Sequence, residues 1–135
     1  MGVRIPNRVL EMGTMTGYVA AGSQLVLEMY VRDIRASVAF YEEFGFEVDR
    51  DNGNFVSLRW KETQFFLVNI ENGPAPPPHP VGNVRIMVPD VDEYWLLAQK
   101  KRAAVIEPIG DRYYGLRDFT IAGPDGIGLR FSTTL

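Results

Sequence analysis

A chain of 135 residues, 46% of them hydrophobic, is long enough for one domain with a substantial core and too short to promise two independent ones. It has no cysteine, which excludes disulfides, thiolate metal sites and a cysteine nucleophile. Its formal charge of -3 is mild and its one basic run, Lys100-Lys101-Arg102, reads as the polar end of a helix, so nucleic acid is not an expected partner. No apolar run approaches the ~20 residues of a membrane span and no compact apolar block marks a signal peptide, so we expect a cytoplasmic protein with no membrane partner.

Residues 1–23 are rich in Gly, Met and Thr without a sustained period, and read as an N-terminal extension, an arm or added strand, ahead of a single domain over 24–135. From Leu25 to Val31 the pattern alternates. Leu25, Leu27, Met29 and Val31 fall on one strand face, Val26, Glu28 and Tyr30 on the other. At Asp33 the period changes to that of a helix through Ile34, Val38 and Tyr41, with Asp33 as N-cap and Gly45 as stop. A strand starts at Phe46-Glu47-Val48, a tight turn follows at Asp51-Asn52-Gly53-Asn54, and Phe55 to Trp60 and Thr63 to Val68 make the hairpin after it. The first module, 24–70, is therefore strand, helix and three strands.

Residues 71–81 form a linker, because a run of prolines fixes backbone angles and removes donors. The second module, 82–135, opens with a strand from Asn83 to Val88. Asp90-Val91-Asp92-Glu93 then reads as a capping box opening a helix through about Arg102. Val105-Ile106, Asp118 to Ala122 and Ile127 to Ser132 are the remaining strands, with a turn at Gly123-Pro124-Asp125-Gly126. The second module repeats the first: Leu27 to Ile34 returns 57 residues later as Val84 to Val91, an alternating strand running into a capping Asp in both copies. Two such half-domains suggest a pseudo-symmetric body around a shared cavity.

The helix start at Val31-Arg32-Asp33-Ile34, the Ser37-Val38-Ala39-Phe40-Tyr41 and Phe44-Gly45-Phe46 that follow, and the closing Pro124-Asp125-Gly126 before an alternating strand carry a family resemblance. Over about residues 24 to 135 the chain resembles the vicinal oxygen chelate superfamily of glyoxalase I, extradiol dioxygenases, fosfomycin resistance enzymes and bleomycin resistance proteins. The resemblance implies an α+β fold, the glyoxalase/bleomycin resistance fold, in which two βαβββ modules with curved mixed sheets form a cleft. It also implies a homodimer. Metal-dependent members hold a divalent ion with His, Gln or Glu at four positions, which here fall on Val26, Ser57, Asn83 and Arg130. Valine cannot ligate and a guanidinium brings positive charge to a cation's place, so no metal and no other cofactor is expected. The only histidine, His79, sits in the proline-rich linker, where a solvent-exposed or packing role is expected.

Strand parity assigns a different set to the cleft: Glu28 and Tyr30; Phe55, Ser57 and Arg59; Asn83, Arg85 and Met87; and Arg130. Tyr113 and Tyr114, in a loop that borders the cleft in the family, are candidate wall or lid residues. Buried charges need partners, so Glu28 and Arg85, at matching positions in the two copies, are candidates to pair with each other or to meet a ligand. Arginine forks suit carboxylates, phosphates and other acceptor-rich compounds. The expected function is metal-free binding of a small molecule, an antibiotic or polar metabolite sequestered as by a bleomycin resistance protein. That branch uses an acidic groove for a cationic drug, whereas the groove inferred here bears arginines. The alternative is a lyase, isomerase or dioxygenase working through a displaced metal site or through acid and base groups such as Glu28 and Tyr30.

Overall fold

The computed structural model describes Val19, Gly22 and residues 24–135, so most of the expected extension over 1–23 lies outside the described residues. The chain divides into two compact units, Met1–Gly73 and Pro74–Leu135. The first contains β1 (Leu27–Val31), α1 (Ile34–Glu43), β2 (Glu47–Asp51), β3 (Phe55–Trp60) and β4 (Thr63–Asn69). The second contains β5 (Asn83–Met87), α2 (Val91–Lys100), β6 (Val105–Asp111), β7 (Leu116–Ala122) and β8 (Gly128–Thr134). Each unit is thus βαβββ. The sheet orders are β1-β4-β3-β2 and β5-β8-β7-β6, with the first strand of each unit parallel to the last and the other pairs antiparallel.

The period change at Asp33 becomes a cap, its carboxylate accepting from Ala36 N at 3.1 Å while Asn69 Oδ1 at the end of β4 accepts from Ile34 N at 3.1 Å. Beyond α1, Gly45 takes φ +107°, and a Cβ there would lie 2.9 Å from the Trp60 ring, so both backbone angle and packing call for glycine. The apolar stripe of α1 covers one face of its sheet: Ile34, Val38, Tyr41 and Phe44 are buried with Met29, Val31, Val56, Leu58, Phe65 and Leu67. Tyr41 and Phe65 meet edge-on at 5.1 Å. The second unit repeats this with Ile86, Val88, Ile121 and Leu129 buried, Trp95 edge-on to Phe119 at 5.1 Å and Tyr94 stacked on Phe131 at 4.6 Å. Burying each such side chain contributes about 1.5–3 kcal/mol.

Five local expectations change. β1 begins at Leu27, and Leu25, assigned above to the apolar face, is 93% exposed. Asp90 caps α2 through Asp92 N at 3.1 Å, while the Glu93 amide bonds the Asp90 backbone carbonyl. α2 ends at Lys100, because Arg102 turns to φ +56° and leaves the helix. β6 runs on through Pro108 to Asp111, since an edge strand has one side free of ladder bonds and tolerates a missing N–H. The expected loop around Tyr113 and Tyr114 shrinks to a turn that Gly115 closes at φ +91°. Among the described residues no helix is long and apolar enough to cross a membrane.

Candidate functional site: the open face of the second sheet

Each helix covers one face of its sheet, and strand register lists what the other face holds. In the second unit Arg130 on β8 lies between Arg85 on β5 and Thr120 on β7, while Asp118 on β7 lies opposite Ser132 on β8. Asp118 is fully buried and all its bonding capacity is used. One carboxylate oxygen accepts from Arg112 Nε at 2.7 Å and an Arg130 terminal N–H at 3.0 Å. The other accepts from Arg85 at 3.2 Å and the Tyr114 hydroxyl at 3.0 Å. Arg85 also donates to Ser132 Oγ at 2.7 Å, and the Tyr114 oxygen accepts from Arg130 at 2.9 Å. Arg112 reaches in from the β6–β7 turn and donates to the Pro108 and Asp118 carbonyls at 2.5 and 3.0 Å.

One carboxylate thus organises three guanidiniums. Burial by itself would push the Asp118 carboxyl up, but donation from Arg130, Arg112, Tyr114 and Arg85 outweighs it and holds the group well below the usual carboxylate range. The bond to Asp118 in turn raises Arg130 above its ordinary value.

Beside this network is a cavity of about 260 Å³, walled by Thr120, Arg130, Asn83, Ile106, Glu107 and residues 79–82. Thr120 Oγ1 and Arg130 Nε are buried and have no hydrogen-bond partner. An unmet buried polar atom costs about 1–3 kcal/mol, so two on one cavity wall mark where a further group is wanted. Two glycines are tightly packed beside it. A Cβ at Gly128 would lie 2.2 Å from Asn83 Oδ1 and 3.0 Å from Thr120 Cγ2, and one at Gly126 would lie 2.8 Å from Pro77. Val81 N and Gly128 N bond the Gly126 and Gly82 carbonyls at 3.0 and 2.8 Å, so the end of the proline-rich segment is fastened to the turn before β8.

The first unit's open face is closed. Gln64 Nε2 donates to Asp49 Oδ2 at 3.0 Å and Ser57 Oγ at 3.2 Å, Ser57 donates to the same Asp49 oxygen at 3.2 Å, and Arg59 pairs with Asp49. Next to them Phe55 and Phe66 meet edge-on with ring centres 5.0 Å apart.

Of the residues singled out by sequence, the second unit brings Asn83, Arg85, Tyr114 and Arg130 together around Asp118 and the cavity. Ser57 and Arg59 join the first unit's cluster, Phe55 packs on Phe66, and Glu28, Tyr30 and Met87 are exposed. Tyr113 is 100% exposed, whereas its neighbour's hydroxyl is built into the network. Within its own unit Arg85 meets the carboxylate of Asp118. His79 is exposed, and it also lies on the cavity rim. Sequence reading missed Asp118, Thr120, Glu107, Arg112, Asp49 and Gln64. Asp118 and Thr120 had a usable signal, since they alternate with the core residues Phe119 and Ile121.

The donor set does not suit a divalent cation. Among the described residues no group of three or more His, Cys, Asp and Glu side chains comes together. At the cavity, Arg130 brings a fixed positive charge, and Asp118 already accepts from four donors.

Comparison with known proteins agrees with this architecture. No curated protein sequence matches the chain. A glyoxalase/bleomycin resistance protein/dioxygenase from Nocardioides superposes with a TM-score of 0.70 at 16% identity, over 93% of this chain and 89% of that one. TioX from Micromonospora sp. ML1 gives 0.70 at 21% identity, over 84% of this chain and 100% of that one. A bleomycin resistance determinant encoded on the transposon Tn5 gives 0.64 at 17% identity, over 83% and 98%. At such identities the likeness is one of fold. The profile of the Glyoxalase/Bleomycin resistance protein/Dioxygenase superfamily matches residues 23–131, and with its two βαβββ units the chain belongs to that superfamily.

Proposed function

We propose that the protein binds a small polar molecule without a metal, sequestering an antibiotic or metabolite in the cavity of its second unit as a bleomycin resistance protein would. The observation that carries this reading is the pair of buried, unpartnered atoms on the cavity wall, Thr120 Oγ1 and Arg130 Nε. Their neighbours cannot satisfy them. Arg130 is held by Asp118 and Tyr114 through a terminal nitrogen, which leaves Nε without a partner in a residue that lines the cavity. A ligand acceptor there would gain a charge-assisted bond from Arg130, and Thr120 can donate or accept beside it. Apolar contact would come from Ile106, Val81 and Pro80. The resistance determinant among the structural neighbours supports a binding role, and the superfamily supports a pocket on this kind of sheet face.

The test is thermal denaturation against a broad panel of antibiotics and polar metabolites. A ligand at one hundred times its Kd stabilises the native state by about 2.7 kcal/mol, readily seen as a rise in Tm. We expect at least one compound to raise Tm in the parent protein and to lose most of that effect in Thr120→Val, which keeps the shape and removes the hydroxyl. A panel with no stabilising member, or stabilisation indifferent to Thr120→Val, would overturn the reading.

A further inference from the structure

Arg85 on β5 is fastened at one end of its guanidinium and uncommitted at the other. Its Nη1 donates to Asp118 Oδ2 at 3.2 Å and to Ser132 Oγ at 2.7 Å, and both of those residues are fully buried. The Tyr114 ring covers one face of the group, its centre 6.0 Å from the guanidinium carbon. Nε and Nη2 make no hydrogen bond to any described residue. Together they form one edge of the planar group, with N–H bonds directed to meet the two oxygens of a carboxylate. The side chain is 37% exposed, so a ligand can reach it. Fixing an arginine rotamer costs conformational entropy, and the bonds to Asp118 and Ser132 meet that cost before any ligand arrives.

The charge balance narrows the ligand. Arg85, Arg112 and Arg130 share Asp118, and Glu107 pairs with Arg112 at 3.7 Å, so three guanidiniums stand against two carboxylates. Of the three, Arg85 keeps this whole edge unspent. Arg112 donates through both Nε and Nη2, and Arg130 uses Nη2 beside its buried Nε. Arg85 also adjoins the proposed binding cavity, because Arg130, its register partner on β8, and Asn83, two residues earlier on the same face of β5, both line it. We infer that the ligand of that cavity carries a carboxylate, bound bidentately by Nε and Nη2 of Arg85. A carboxylate cancels the surplus with a single negative charge, whereas a phosphate monoester brings about two and an amide offers the fork only one oxygen. Glu107 lies three strands away across the sheet, about 14 Å, too far to repel the incoming group strongly.

This inference rests on the proposed binding function and names the charged group of the ligand. The test uses benzoate, phenyl phosphate and benzamide, titrated at constant ionic strength into the isotope-labelled full chain while the arginine Nε–H resonances are followed, with Arg85 assigned through its own backbone amide. Benzoate is expected to move the Arg85 Nε–H and to bind about tenfold tighter than either of the other probes. Arg85→Lys, which keeps the charge and loses the fork, should weaken benzoate about tenfold. The resonance is read in the parent protein, so that result stands however well the variant folds. Phenyl phosphate or benzamide binding as tightly as benzoate would overturn the carboxylate. An Arg85 Nε–H unmoved by benzoate, or a folded Arg85→Lys chain that binds it undiminished, would overturn it equally. The antibiotic and metabolite panel, read through Thr120→Val, decides the binding function separately from all of these outcomes.

Discussion

The open faces of the two sheets share a backbone plan and carry opposite chemistry. Where the first places Phe55 against Phe66, the second places Asp118 within reach of Arg130; where the first has Val68, the second has Ser132. At the neighbouring position the first unit sets Gln64 against its hydroxyl, and the second has Gly128, packed against the Asn83 side chain. A duplicated sheet can therefore hold a closed polar cluster on one copy and an incomplete one on the other without altering strand order. The incomplete one is the better place to look for binding, because among the described residues only there do buried polar side-chain atoms lack partners.

The contrast can be broken most strongly at Asp118. Asp118→Ala strands three guanidiniums without their common carboxylate and is expected to cost about 3–5 kcal/mol in urea denaturation. The same residue gives a pH signature. An unfolded aspartate titrates near about 3.9, and in the fold the Asp118 carboxyl is held lower, so its contribution is fully present above about pH 5 and is lost as pH falls below about 4. The stability gap between the parent and Asp118→Asn should therefore narrow in acid, measured as Tm against pH; a gap that widens would contradict the ionised, over-satisfied carboxylate. On the first unit Phe66→Ala should cost about 3 kcal/mol through lost packing, with no such acid dependence. Gln64→Ala leaves Asp49 and Ser57 short of a donor and should cost about 1–3 kcal/mol, which equilibrium denaturation would resolve. The smallest effect is Tyr114→Phe, about 1 kcal/mol, since Asp118 keeps its three arginines.

Much of this architecture was legible in the chain. Asp33 and Asp90 announced both helices, and alternation sorted Met29 and Val31 from Glu28, and Ile86 from Arg85, because strand parity is a local rule. What parity could not reveal was the partner across the sheet. Asn83 meets Gly128, and Thr120 meets Glu107, through registers set by tertiary pairing and by bulges in β6. Arg112 reaches Asp118 from a turn shorter than expected, because the strand read at Val105-Ile106 runs on through Pro108 to Asp111. The cavity was hidden for a related reason: residues 79–81 read as linker, and the bonds of Val81 to Gly126 and of Gly82 to Gly128 make this stretch a wall.

In both units the parallel partner of the opening strand is the closing strand, so among the described residues each sheet is built from strands of its own unit alone. That arrangement sets an order of events during synthesis. β1 to β4 are all made once residue 69 is clear of the ribosome, while the second sheet must wait for β8. The core around Tyr41 can thus form early, and the polar face around Asp118, whose Arg130 and Ser132 lie on β8, matures later.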